Sequence, residues 1–371
     1  MIPQSTATTR IDAILRNLNN IRARIGTRMI LAPVQANAFG HGVIPLARAI
    51  EQRHAAEWFG VSSVAEGVEL RRAGITLPIL VLAVTRGPDV IDGVAADLTL
   101  TVADADSINE AGKAAADLGR QVNVQLKIDT GLRRAGCSPR DATQLAALAA
   151  IMPRMRIRGV WSTLTSADTP AQDEHTAKQI AAFTRAALNV ETVTGPIIKH
   201  LAGSGGVLAQ PDSWLDLVRP GVLMYGSYPD ATAPRTVSVR PGIEWVTRVT
   251  DLREVDAGET VGFGRTWAKA EDTWIATIPV GYADGYSRLL SNRGRVLIGG
   301  RSYPIAGRVG MNQTAIDVGR RPTVRLGDPV VLIGRVGDED VSPAELASLM
   351  TTTPAEVTCL IGNRVARTVV I

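Results

Sequence analysis

ADSINEAGKAAADLGRQVNVQLKIDTGLRRAG, residues 105–136, holds two rhythms and the switch between them. Residues 105–119 carry apolar positions at the 3.6-residue spacing of an amphipathic helix, whereas NVQLKID (123–129) is a short apolar run that predicts a buried strand. Charge gathers where the strand ends, at Lys127, Asp129, Arg133 and Arg134. A helix, a strand and then a polar loop form the repeating unit of a parallel α/β fold.

The unit recurs on both sides. MILAPV (29–34), WFGVSS (58–63), PILVLA (78–83), LTLTV (98–102), IRGVWSTL (157–164), PIIKHLA (196–202) and LVRPGVLMYG (217–226) read as further buried strands, with helical stretches such as AEGVELRRAG (65–74) between them. Eight strands joined by right-handed crossovers suggest a (β/α)8 TIM-type barrel, with its reactive groups at the C-terminal ends of the strands. Past Ala233 the helical period fades into β-rich runs separated by Gly and Asp turns: IEWVTRVTDLREV, TWIATIPV, GRVLIGG and DPVVLIG. A single short helix, SPAELASLM (342–350), interrupts them, with Ser342 and Glu345 placed for a capping box. The expected domains are a barrel over 1–232 and a mostly β C-terminal domain over 233–371.

Composition narrows the function classes. Of 371 residues 45% are apolar and 20% charged, which suits a globular chain, and the net charge of +4 comes from scattered residues with no basic block. With aromatics at only 4%, a nucleic-acid surface is not expected. Two distant cysteines, Cys137 and Cys359, build neither a disulfide framework nor a zinc site, so no metal is expected. MIPQSTATTRIDAILRNL reads as polar and helical without a leader, and no apolar run reaches membrane length. The expectation is a cytoplasmic protein without a membrane partner.

Six segments can carry chemistry. QANAFGHG (35–42) is a Gly- and Asn-rich turn after the first strand, and KIDTGLRRAG (127–136) offers two arginines that suit a carboxylate clamp. HLAGSGG (200–206) ends a strand in a Gly/Ser turn that opens a helix, a place where backbone N–H groups meet anions. VRPGVLMYG (218–226) sets Arg219 among apolar residues, and a buried arginine needs a partner. VGYADGYSR (280–288) puts Tyr282 on a turn, where its hydroxyl suits acid–base work, and GRVGMNQTAID (307–317) reads as a turn whose amides face a ligand. Each has a plain structural reading as well.

Taken in order, VQANAFGHG, LKIDTGLRR, RPGVLMYG, GYADGY, GRVGMNQ and NRVAR make the chain resemble the alanine racemase family over nearly its whole length. The resemblance implies a fold-type III pyridoxal-phosphate barrel, a β domain, and a head-to-tail homodimer with active sites shared between chains. By the same resemblance Arg219 faces the pyridine nitrogen, His200 supports it, and Ser204, Gly221 and residue 39 lie around the cofactor phosphate. Tyr282 corresponds to a catalytic base supplied by the partner. Arg134 and the backbone at Met311 correspond to groups near the phenolic oxygen and the substrate carboxylate, and Lys127 to a lysine carbamylated in many members.

The departures cluster. Gln35 stands where the family has its Schiff-base lysine, and an amide is neither a nucleophile nor a base at neutral pH. Phe39 and Ala355 replace tyrosines, Thr163 a histidine, Gly203 an asparagine, Gly310 a cysteine and Asn312 an aspartate. The N-terminus also reads as lacking the first strand of the β domain. Among the lysines Lys127 lies nearest the strand ends, but the resemblance assigns it to supporting Arg134, so rescue is not expected.

From these departures we expect an alanine-racemase-like chain without covalent pyridoxal phosphate. Its pocket is expected to be repurposed for a small anionic, amino-acid-like or phosphorylated ligand, with ordinary racemase activity lost or very weak. The alternatives are a non-catalytic scaffold, and an alanine racemase that holds pyridoxal phosphate non-covalently.

Overall fold

A computed structural model describes residues 4–371. Eight parallel strands form one sheet: β2 (Met29–Pro33), β3 (Trp58–Val61), β4 (Ile79–Val84), β5 (Thr99–Val102), β6 (Val122–Lys127), β7 (Met155–Trp161), β8 (Ile198–His200) and β9 (Leu217–Val218); β1 (Ser5–Arg10) lies elsewhere. Neighbours follow chain order from β2 to β8, and β9 pairs with β2. Backbone bonds from Asp216 to Lys199 (3.1 Å) and from Arg219 to Ala202 (2.9 Å) join the β8 and β9 segments and close the barrel.

Local chemistry starts the crossover helices. Ser63 and Glu66 form a reciprocal capping box before Val64–Arg72, and Asp104 with Ser107 does the same before Ala105–Asp117. The packed faces of these helices and the outward faces of the strands share one large core that includes Phe59, Val124, Leu126, Ile108 and Phe183. Leu31, Trp58, Leu80 and Leu217 form a smaller cluster of their own, contributed by four different strands. The expected (β/α)8 barrel followed by a mostly β unit is the architecture observed.

The β unit contains a larger sheet that runs in the order Arg301–Pro304, Arg295–Ile298, Pro329–Val336, Ile243–Arg248, β1 and Ala366–Val370. Its core is built on Trp245, Tyr286, Val296, Leu332 and Ile333. Here two expectations are corrected. The N-terminal strand is present: β1 pairs antiparallel with Ile243–Arg248 and parallel with Ala366–Val370. Its sequence, STATTR, has one apolar residue, and both its partners lie more than 200 residues away, so no local signal marks it. The helix at Pro343–Met350 is also not alone, because Pro354–Cys359 follows it.

The capping box expected at that first helix is half present. Ser342 Oγ accepts from the Glu345 amide at 3.1 Å, but the Glu345 carboxylate is taken by Arg295 (2.7 and 2.9 Å). Among the described residues no helix is long and apolar enough to cross a membrane.

Candidate active site at the barrel mouth

Residue 35 opens an unusual turn. Ala36, Asn37, Ala38 and Phe39 all have φ between 52° and 55°, a short run of left-handed helix. The left-handed form costs an L-residue roughly 1–2 kcal/mol, so four in a row need outside support. That support is visible. The Ala36 amide donates to Glu66 Oε1 (2.6 Å) and the Ala38 amide to the Val34 carbonyl (2.9 Å), while the Val43 amide donates to Asn37 Oδ1 (2.8 Å). Gly40 follows with φ +81°, pressed so close to Thr358 that an added Cβ would stand 2.1 Å from its carbonyl oxygen. The glycines were readable as positive-φ positions; the four residues before them were not.

Gln35 is half-buried, and its Oε1 is buried with no hydrogen-bond partner among the described residues. Phe39 stacks at 4.8 Å on Tyr225, whose hydroxyl donates to the Pro33 carbonyl (2.9 Å). Phe39 and Ala355 line the same small cavity, together with His41 and Thr358.

From the end of β9, the neighbour of β2, a chain of polar side chains runs to β8 and β6. Arg219 is buried, and its Nη1 donates to His200 Nδ1 at 2.7 Å. Because a guanidinium only donates, Nδ1 must accept, so the ring proton sits on Nε2 and donates to Gln125 Oε1 at 2.5 Å. Arg219 Nη2 donates to the carbonyls of Ser162 (2.5 Å) and Leu201 (3.2 Å). Burial, and then the Arg219 charge, hold the His200 pKa well below the ordinary histidine range, so the imidazole is neutral. Burial lowers Arg219 to about 9, which leaves it charged at neutral pH. The partner expected for Arg219 is thus a neutral imidazole and two carbonyls, not a carboxylate.

Gln125 is the residue that sequence reading missed. The signal was there: Gln125 and Lys127 stand two apart on β6 and therefore share a face.

Lys127 is buried with its Nζ 4.3 Å from the centre of the Trp161 ring, and Trp161 stacks on His200 at 5.9 Å. Arg134 is exposed in the following loop. After β8, Ser204 begins the short helix Ser204–Ala209, and its Oγ accepts from the Leu223 amide (3.2 Å). Gly221 faces it: a Cβ there would lie 3.8 Å from Ser204 Oγ and 3.6 Å from Phe39 Cζ.

Tyr282 and Met311 form a separate group in the β unit. The Tyr282 amide donates to the Gly310 carbonyl and the Ala283 amide to the Met311 carbonyl, both at 3.0 Å. Both side chains are exposed, Tyr282 by 43% and Met311 by 54%. No hydrogen bond among the described residues joins them to the barrel-mouth group. Within one chain the candidate site residues therefore fall into two sets.

The alanine racemase N-terminal domain family matches residues 9–229, and the alanine racemase C-terminal domain family matches 243–369. A relative named alanine racemase from Cutibacterium acnes is 40% identical over 98% of this chain and 97% of its own length. Another of that name, from Chlorobaculum tepidum, is 37% identical over 99% of this chain and 95% of its own. Among solved structures, alanine racemase from D-cycloserine-producing Streptomyces lavendulae superposes with a TM-score of 0.94 at 32% identity, covering 100% of this chain and 98% of that one.

These end-to-end likenesses overturn the expectation of a repurposed pocket, and they give no support to a loss of activity. Seven departures from the family's pattern carried that expectation, whereas the Arg219–His200–Gln125 chain among them is hydrogen-bonded.

The residues present fit pyridoxal phosphate at two of its ends and not at the third. Charged Arg219 suits a ring nitrogen, the Ser204 hydroxyl facing Gly221 suits a phosphate, and the unpartnered Gln35 Oε1 suits a bound donor. A bond to residue 35 does not fit, because an amide nitrogen is not nucleophilic.

Proposed function

The chain belongs to the alanine racemase family, and from that premise we propose that it interconverts L- and D-alanine using pyridoxal phosphate held without a bond at residue 35. The observation that carries this reading is likeness across both units, at full length, to relatives of that name.

The residues divide the work. Arg219 would hold the ring nitrogen, with His200 and Gln125 fixing its guanidinium. Ser204 and the backbone at Gly221 would hold the phosphate, without the hydroxyls that Phe39 and Ala355 do not carry. When bound, pyridoxal phosphate supplies an electron sink that acidifies the hydrogen on the amino-acid α-carbon. Tyr282 Oη moves a proton at that carbon, and Arg134 with the Met311 backbone orients the substrate carboxylate.

Because Tyr282 and Met311 stand exposed and apart from the barrel mouth, we read the working unit as a head-to-tail homodimer in which each mouth receives them from its partner. The free cysteines suit a reducing cytoplasm.

The test is proton NMR of alanine in deuterated water with enzyme and pyridoxal phosphate. Loss of the α-proton signal from both enantiomers supports the reading. Retention of that signal, when another amino acid exchanges, removes alanine as the substrate.

A further inference from the structure

Tyr282 Oη makes no hydrogen bond among the described residues, and Met311 is assigned its part through its backbone. The placement of both groups therefore depends on the two turns that carry them. Tyr282 opens the one-turn helix Tyr282–Asp284, and Met311 lies in the turn before the strand Thr314–Gly319. The turns meet along one edge. The Tyr282 and Ala283 amides reach the Gly310 and Met311 carbonyls there. Gly281 packs so closely that an added Cβ would stand 2.2 Å from the Gly310 oxygen and 2.5 Å from the Met311 oxygen. Two bonds along one edge act as a hinge, and a further contact is needed to set its angle.

Arg364 supplies that contact. Its Nη1 donates to Asn312 Oδ1 at 3.0 Å, and its Nε lies 3.5 Å from Asp284 Oδ1. A guanidinium only donates, so Asn312 turns its oxygen and not its amino group toward Arg364. Asn312 stands where the family has an aspartate, and the amide keeps the acceptor oxygen. Asp284 is buried, and its other oxygen accepts from the Gly281 amide at 3.0 Å, which ties the carboxylate to the start of the Tyr282 turn. The fork of Arg364 thus spans the last residue of one turn and the residue after Met311 in the other, a reach that a point-like ammonium does not have. The backbone leading to Arg364 is itself fixed. The Gly362 amide donates to the Asp284 carbonyl (2.9 Å), and a Cβ on Gly285, at φ +101°, would stand 2.0 Å from the Leu360 oxygen. In the sequence NRVAR served only as a family signature; the structure gives its first arginine a partner on each turn.

We propose that Arg364 is a positioning residue, which holds the hydroxyl of Tyr282 and the backbone at Met311 in one fixed relation. The inference rests on the racemase reading above, in which the two groups act on one substrate: Tyr282 on its α-proton, Met311 on its carboxylate. Arg364 acts through them. A shift of about 1 Å between a proton-moving group and a bound substrate costs up to about 100-fold in rate.

The experiment compares the wild type with Arg364→Ala and Arg364→Lys, all at full length. Amide hydrogen exchange, without cofactor, is read first by mass spectrometry at the peptides covering 281–286 and 310–314. Turnover of alanine and of α-deuterated alanine, with pyridoxal phosphate, is read second. Arg364→Ala is expected to lose protection at both peptides and not in the barrel, to lower kcat by about 10- to 100-fold and to raise KM. Its isotope effect on kcat should exceed that of the wild type, because a misplaced hydroxyl slows the proton transfer itself. A loss of folded protein would lower turnover with the isotope effect unchanged. Arg364→Lys keeps the ion pair with Asp284 but not the span to Asn312, so KM is expected to rise while kcat changes little. Unchanged protection or an unchanged isotope effect in Arg364→Ala, or an unchanged KM in Arg364→Lys, overturns the role of Arg364 and leaves the racemase reading standing. Should Arg364→Ala not fold, the KM of Arg364→Lys decides alone. A wild type that turns over no alanine overturns the racemase reading and, with it, the part of Arg364 in catalysis.

Discussion

The guanidinium of Arg219 keeps its charge inside the barrel because each neighbour is a neutral acceptor. His200 cannot protonate beside it, and Gln125 fixes which ring nitrogen accepts. Replacing Gln125 by Leu leaves the His200 Nε2–H without a partner in a buried site, at a cost of about 1–3 kcal/mol. Urea denaturation of Gln125→Leu is expected to read a loss in that range. Tyr282 is the opposite case: exposed and free of side-chain bonds among the described residues, it contributes little to folding. Tyr282→Phe should leave the melting temperature within a degree or two while turnover falls roughly 10²- to 10⁴-fold, the usual worth of a positioned acid–base group. Gln35→Lys restores an amine where the left-handed turn presents residue 35, so turnover should rise by about two orders of magnitude or more. At this scale the sequence named Arg219, His200, Lys127 and Tyr282 without naming Gln125, because its role depends on which imidazole nitrogen Arg219 occupies.

The element that sets residue 35 is the left-handed turn, and it is held from outside. Its hydrogen-bond partners are Glu66, Val34 and Val43, and Gly40 seals it against the Thr358 carbonyl of the β unit. Gly40→Ala adds a Cβ where only 2.1 Å is available and at a φ of +81°, so it should destabilise by at least about 3 kcal/mol. A thermal melt of that variant, set against Gly74→Ala, separates crowding from strain, since Gly74 has φ +88° and no atom within 4 Å of an added Cβ. A drop no larger than that of Gly74→Ala would mean the contact with Thr358 is not tight. The sequence displayed the glycines of this turn and the period of the barrel strands. It could not display the four left-handed residues or β1, because both depend on partners far along the chain.

At the scale of the molecule, two buried neutral histidines tie stability to pH. Burial lowers His41 from the usual 6.5 to about 4, and its ring lies 4.5 Å from that of Tyr225. The unfolded chain takes up the proton first as pH falls, so the His41 contribution is complete above about 6.5 and is lost on the way down to about 4. The expected loss is about 3 kcal/mol over that window, with His200 acting in the same direction. Urea midpoints at pH 7 and pH 4 check the sign. A midpoint that rises toward pH 4 would refute it.

The proposed sharing of sites between subunits makes a second demand on the whole assembly. Mixing Tyr282→Phe with Gly221→Asp, each inactive alone, should restore about one quarter of wild-type activity, because mixed dimers rebuild one intact site. No recovery after the subunits have exchanged would place each site within a single chain.

The most direct measurement is chiral analysis of alanine after incubation of L-alanine with the wild-type protein and pyridoxal phosphate, with Tyr282→Phe and Gln35→Lys run beside it. D-alanine is expected from the wild type, far less from Tyr282→Phe and more from Gln35→Lys. No D-alanine from the wild type while Gln35→Lys produces it would contradict the proposed racemisation.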